Sequence, residues 1–475
     1  MKKQSIGKSI LYNTFYLMIA EIIVRIITFL TVAYLARIVG VSHFGRLEFS
    51  FAVLSYFSIF AILGLNTIGN KEISIDREKS SVLLSNILVI QFLSAVVSGG
   101  LFFLFSLYSG KDEATRLLLT LQILNILGTV FGIEWFFIGM KEMIHVGINR
   151  VVRQIIYFLA IIIFVRSASD FMLVPLLYFA ASFGGIFYLW FVLLHQEKIR
   201  FKPQLDFLMW KDLLKQSLPI MGSYLLTKAY YNIDIVFLGL IKTDEQVGLY
   251  SGAYKIINLL MGVKLIMSGV LFPFLSQLYN ESQEKLNYLV NFTEKMSFVV
   301  IIPITFGVII LAKEIVKFIY HSGFQEAVSP LRILIFVAAF EFFNMIFPTL
   351  LNATGKQKSY LKVVAVVNIV SIVLYLILIP KFEMYGAAIV SAGSSLISFL
   401  WCYFEAKKVA RVDLERYIFI PVLASIVMSI AIINILWSLF ARIMLGAVIY
   451  FVLIFIFRYF SLSEFLFIKK KIQIR

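Results

Sequence analysis

The stretch ILYNTFYLMIAEIIVRIITFLTVAYL, Ile10 to Leu35, decides what kind of molecule this is. As a helix rising 1.5 Å per residue it is long enough to cross a hydrocarbon core of roughly 30 Å. Yet Glu21 and Arg25 stand near its middle, four residues apart and therefore on one helix face. A charge costs roughly 2.5–3.5 kcal/mol at the centre of a membrane helix on insertion scales, so each needs a partner or a purpose. The two can pair with each other, and either can also serve a ligand.

The rest of the chain has the same character. Of 475 residues, 61% are hydrophobic and 15% charged, and the mean hydropathy is +0.92. Soluble domains carry roughly 25% charged residues, so the composition is that of a polytopic membrane protein. The 47 phenylalanines suit lipid-facing helices and interfacial belts. The first apolar stretch is too long for a signal peptide and no small-residue cleavage site follows, so it is expected to be retained as a helix. A single cysteine, Cys402, excludes an intrachain disulfide and a cysteine metal cluster. No CxxC, HExxH or phosphate-loop spacing occurs, which leaves no enzyme signature, no metal site and no cofactor.

About fourteen apolar stretches reach membrane-spanning length, which predicts an all-α fold. The net charge of +16 does not indicate nucleic acid. Most of the 43 Lys and Arg fall in alternate connections, the set that includes both termini. The positive-inside rule then puts both ends in the cytoplasm and makes the basic balance a topology signal. No connection can hold a soluble domain; the longest inside one, His195 to Gln216, reads as an amphipathic linker on the membrane surface.

That linker separates two related halves. A gapless shift of 203 residues lays KSILYNTFYLMIAEIIVRII on KDLLKQSLPIMGSYLLTKAY, and Gly45 on Gly248. Identities are few, but span falls on span and turn on turn. The expected organisation is an N-lobe (1–195), a cytoplasmic linker (196–217), a C-lobe (218–408) and a C-terminal pair of helices with a basic tail (409–475). Each lobe would hold six helices, and the two would run parallel about an axis along the membrane normal.

The same shift places Arg25 on Lys228, so a base occupies the equivalent mid-membrane position of each half. Lys228 has no acid three or four residues away; an anionic ligand in a central cationic cavity is a natural partner. Lys255 and Lys264 lie nine residues apart and on opposite faces of one helix. Lys255 is close enough to a helix end to snorkel, so Lys264 is taken as the third cavity base. Glu21 and Asp234 are candidates for counter-charge or coupling, and Tyr224 and Tyr231, on the Lys228 face, for contacts with sugars. Glu134 lies near a helix end, where it can simply meet the interface.

Five segments, in order, carry a family resemblance: LARIVGVSHFGRLEFSFAVLSYFSIFAILGLNTIGNKEIS (35–74), WFFIGMKEM (135–143), VGLYSGAYKI (247–256), NATGKQKSYLKV (352–363) and YGAAIVSAGSS (385–395). Together they resemble the polysaccharide transporter family, which includes Wzx-type O-antigen flippases and falls in the multidrug/oligosaccharidyl-lipid/polysaccharide exporter superfamily. The resemblance implies two six-helix lobes around a cavity opening alternately to either side of a bacterial cytoplasmic (inner) membrane. It implies as substrate an oligosaccharide joined through pyrophosphate to undecaprenol, as in lipopolysaccharide biosynthesis. Lipid II flippases of that superfamily carry an essential arginine on the first helix, and Arg25 matches its placement. Besides membrane lipid, a polysaccharide polymerase machinery and coupling H⁺ or Na⁺ are the partners to look for. The alternatives are a cation-coupled multidrug exporter of the same superfamily and, less favoured, a membrane glycan polymerase or ligase, which would need a catalytic outside loop.

Overall fold

The computed structural model describes residues 2–195, 205–435 and 437–460, with side chains from Tyr16 onward except at 265 and 266. The first part of the expected linker and the basic tail lie outside these residues. Every regular element described is helical, and twelve helical runs are long and apolar enough to cross a membrane. The two longest, α1 (Lys2–Ile62) and α13 (Gln357–Lys407), have 61 and 51 residues. At 1.5 Å per residue each is over twice the depth of a hydrocarbon core of about 30 Å. Both are interrupted where the sequence places a connection. Gly40 in α1 has φ 76° and ψ 171°, a conformation that is essentially glycine's alone, and Glu383 in α13 has φ 56° and ψ −135°.

The chain divides into two compact units. The first holds residues up to Lys255 together with Ile372–Ala387. It contains α1, α2 (Leu65–Ile75), α3 (Ser80–Tyr108), α4 (Glu113–Thr129), α5 (Glu134–Gly139), α6 (Met143–Phe164), α7 (Val174–His195), α8 (Phe207–Ile241) and the start of α9 (Asp244–Glu281). Leu65, Leu84, Phe136, Phe137, Leu189 and Leu213 from five of these helices form one buried cluster. In lipid such a cluster gains by close packing rather than by escape from water. Its edge is pinned by Asn86, fully buried on α3. Asn86 Oδ1 accepts from Asp206 N at 2.9 Å and from Trp210 Nε1 at 2.6 Å. Asp206 in turn caps α8, its carboxylate accepting from Leu208 N and Met209 N at 2.9 and 3.1 Å. An Asn86→Leu change should strand both donors at a cost of about 1–3 kcal/mol, read as a lower midpoint of thermal unfolding in detergent.

The internal repeat appears here as a reciprocal contact. A Cβ at Gly45 would fall on the carbonyl oxygen of Asp244, and a Cβ at Gly248 on that of Val41. Residues 41 and 244 are equivalent under the 203-residue shift, as are 45 and 248. The two backbones therefore touch by the same pair of positions taken in either order, as a two-fold relation requires. Only hydrogen side chains permit this approach.

The second unit holds Ile256–Ser371 and the chain from Ala388 on. Here α10 (Gln283–Tyr320), α14 (Glu415–Ile433) and α15 (Leu439–Ile456) share a core of Val299, Ala424, Met428, Tyr450 and Ile454, and Tyr450 OH donates to Val299 O at 3.0 Å. The buried Lys295 lies over the rings of Tyr459 and Phe460, 4.8 and 5.0 Å from their centroids. On the other side, Phe298 packs on Phe343 of α11 (Val328–Phe343), which packs on Phe399 of α13. Arg442 ties α15 to α10 through Glu314 at 2.7 Å.

Candidate functional site

Within the first unit, three groups of charged side chains stand out. The first surrounds Glu21 and Arg25. Arg25 Nη2 is 2.9 Å from Glu21 Oε1, so the expected intrahelical pair is present. Its Nε is buried and has no hydrogen-bond partner among the described residues. Glu21 also lies 3.9 Å from Arg150 on α6, and Arg150 forks onto one oxygen of Glu134 at 2.8 and 2.9 Å. Asn149 Nδ2 donates to the other oxygen of Glu134 at 2.7 Å. Glu134 thus belongs to an ionic network and does not simply meet the interface. These groups open on a cavity of about 420 Å³ whose lining includes Asn66, Asn125, Arg153 and Tyr178.

The second group centres on α8 and α9. Lys228 is half-buried and its Nζ is 2.6 Å from the side-chain oxygen of Asn232; among the described residues it has no acidic partner. Lys255 is a like-charged neighbour, but it is neutralised by Glu48 of α1 at 2.7 Å. Lys255 therefore does not snorkel to a helix end: Glu48, far earlier in the chain on α1, holds it beside a smaller cavity of about 140 Å³ lined by Thr28, Thr31 and Tyr157. Asp234 is buried and accepts a hydrogen bond from Tyr250 OH. That phenol lies on the next helix, α9. Tyr224, largely exposed, shares a hydrogen bond with Thr67 at 2.7 Å, and Tyr231 packs against Tyr230 with ring centroids 5.0 Å apart.

Lys264 belongs to the second unit, where it forms a close ion pair with Glu341 of α11. Glu341 is almost wholly buried. Glu341→Ala should leave an uncompensated buried cation and cost about 3–5 kcal/mol, whereas Lys264→Met with Glu341→Leu should restore most of the loss. Thermal unfolding of the two variants and the parent checks this.

A third, polar group lies just past the break that Gly40 makes in α1. Arg46 bridges two acids, Asp112 and Asp244, each at 2.8 Å, and Lys111 reaches the other oxygen of Asp244 at 3.4 Å. Partial burial opposes ionisation of Asp112. The hydrogen bonds from Thr115 and the Arg46 and Lys111 charges prevail and hold its carboxyl below the usual range. Two residues before Asp244, Lys242 lies 3.3 Å from Glu383, at the break in α13.

Arg150 and Arg153 are the functional candidates that sequence reasoning missed. The polar run HVGINRVVRQ (145–154) opens α6 and lowers its hydropathy, so both arginines read as part of a connection. Their spacing, three residues apart on one face, was the available signal.

An all-helical fold with twelve runs long enough to span a bilayer is that of a multi-pass membrane protein. Solved structures agree: a lipid II flippase in an inward closed conformation superposes with a TM-score of 0.77 at 17% identity, over 93% of this chain and 98% of the other. An inward-facing multidrug resistance MATE family transporter superposes with a TM-score of 0.65 at 15% identity, over 81% and 94%. More specifically, the chain belongs to the polysaccharide biosynthesis protein family, whose model matches residues 10–279, and it is a polysaccharide transporter of the superfamily that also contains the MATE exporters. The MatE model matches residues 219–378. Among curated relatives, a putative O-antigen transporter of Escherichia coli is 22% identical over 389 residues, 79% of this chain and 92% of the other. A probable low-salt glycan biosynthesis flippase of Haloferax volcanii is 24% identical over 170 residues, only 36% of either chain.

Proposed function

We propose that this protein is a flippase that moves a polyprenyl-pyrophosphate-linked oligosaccharide, an O-antigen or similar repeat unit, across the bacterial inner membrane by alternating access. The observation that carries this reading is Lys228: an ammonium inside a membrane helix, held by one amide oxygen and balanced by no carboxylate among the described residues. A ligand bearing negative charge supplies what the helix lacks. Arg25, its repeat equivalent, offers a planar fork suited to phosphate oxygens. Glu21 is the local counter-charge for Arg25 when the site is empty, and Asp234 the second acid available for coupling to H⁺ or Na⁺. Tyr224 and Tyr231, on the Lys228 face, supply the contacts with sugar. The polyprenyl tail stays in the lipid while the pyrophosphate and glycan cross.

The test is reconstitution of the purified protein in vesicles with a labelled undecaprenyl-pyrophosphate-linked oligosaccharide, following its appearance on the opposite leaflet. Equal appearance in vesicles with and without the protein would sink the reading. The MatE match favours a second reading, a cation-coupled multidrug exporter. Acidic residues attract cationic drugs, and the repeat-matched positions here are basic, so resistance to such drugs is not expected to rise in expressing cells.

A further inference from the structure

The cavity beside Glu134 contains more hydrogen-bonding capacity than its own network uses. Within that network the charges cancel: Glu21 balances Arg25, and Glu134 balances Arg150. Arg153 is left over. It lines the same cavity three residues along α6 and makes no hydrogen bond or ion pair with any described residue. A cation in a low-dielectric wall without a counter-charge favours an anionic guest. The amides around it are also incompletely used. Asn66 accepts from Gln91 at 2.8 Å but its own amide hydrogens are unassigned among the described residues. Asn125 donates to Gln122 and to Pro175 O while its oxygen accepts nothing described there. The Tyr178 and Phe179 rings complete the wall.

Planar amides and a guanidinium in reach of aromatic faces suit one kind of ligand: a ring bearing hydroxyl groups on its rim and C–H bonds on its faces. At about 420 Å³ the cavity falls in the range of small-ligand sites, about 300–1,000 Å³. We infer that this cavity is a sugar subsite, and that Arg153 selects a sugar carrying a carboxylate, of the uronic acid class. This rests on the flippase reading and deepens it by adding a site for the glycan apart from the bases assigned to pyrophosphate. A carboxylate meets the guanidinium through two parallel hydrogen bonds, a geometry that a neutral sugar cannot offer.

The experiment measures binding to the full chain in lipid nanodiscs with three probes: undecaprenyl pyrophosphate alone, the same lipid carrying N-acetylglucosamine, and the same lipid carrying glucuronic acid. The parent protein should bind the glucuronic acid probe tightest. Arg153→Gln should weaken that probe about tenfold or more, the range for a hydrogen bond to a charged group, and change the other two less than twofold. Retained binding of the sugar-free probe shows that the variant is folded. An equal loss for all three probes would assign Arg153 to pyrophosphate and overturn the inference, as would no loss for any. If the parent binds the bare lipid but does not prefer the acidic sugar, the subsite alone falls. If it binds none of the three, the flippase reading falls with it.

Discussion

Lys228→Ala is expected to reduce transfer of a lipid-linked oligosaccharide by at least a hundredfold while leaving the protein level unchanged. The residue makes no ion pair among the described residues, so its loss strands no carboxylate. Its only side-chain partner described is the amide of Asn232, which can turn to donate elsewhere. The change is therefore mild for the fold and severe for a bound pyrophosphate, because a charged hydrogen bond is worth about 1.5–3 kcal/mol before the cavity's low dielectric is considered. Lys228→Arg should recover much of the activity. Arg25→Ala should be similarly inactive but also free Glu21, which retains Arg150 at 3.9 Å as a weaker partner. Transport in reconstituted vesicles, normalised to protein, decides the matter: near-normal transfer by Lys228→Ala would remove the residue from the site.

The second large effect is expected at Gly248. A methyl group there has nowhere to go, since the atom it would meet is the carbonyl oxygen of Val41 and not the movable tip of a side chain. Gly248→Val must separate the two backbones by an ångström or more. Such overpacking costs about 1–3 kcal/mol where neighbours can yield, and backbone yields least. Because residues 41, 45, 244 and 248 form a reciprocal set, Gly45→Val should give the same phenotype, a loss of folded yield after detergent extraction. Unequal effects of the two would contradict the two-fold relation. Gly269→Ala, which meets open space, is the control.

Much of this architecture was legible in the sequence because its causes are local or periodic. Long apolar runs dictate membrane helices. The 203-residue register, weak in identities, is expressed in space as the Gly45–Gly248 contact. The intrahelical Glu21–Arg25 pair was readable from its spacing. What escaped depends on chain segments brought together from afar. Lys255 looked free to snorkel because Glu48 is distant in sequence. Asp234 found a tyrosine on the following helix, which no search for a basic residue on its own helix reveals. Arg150 and Arg153 were hidden by hydropathy itself: the polar side chains that make them useful make the start of α6 look like a loop.

The cluster around Arg46 has a consequence for tolerance to change. The guanidinium serves Asp112 through Nη2 and Asp244 through Nε, and Lys111 stands by as a second cation for Asp244. Loss of Asp112 leaves Arg46 its other carboxylate, and Asp244 would still have Lys111 if Arg46 were lost. Asp112 is the member with least cover, and the arginine is the hub on which both acids converge. Lys111 can be exchanged without an orphan, whereas Asp112 also caps α4 by accepting from Thr115 N at 3.3 Å, so drift is permitted at 111 while positions 46 and 112 are held.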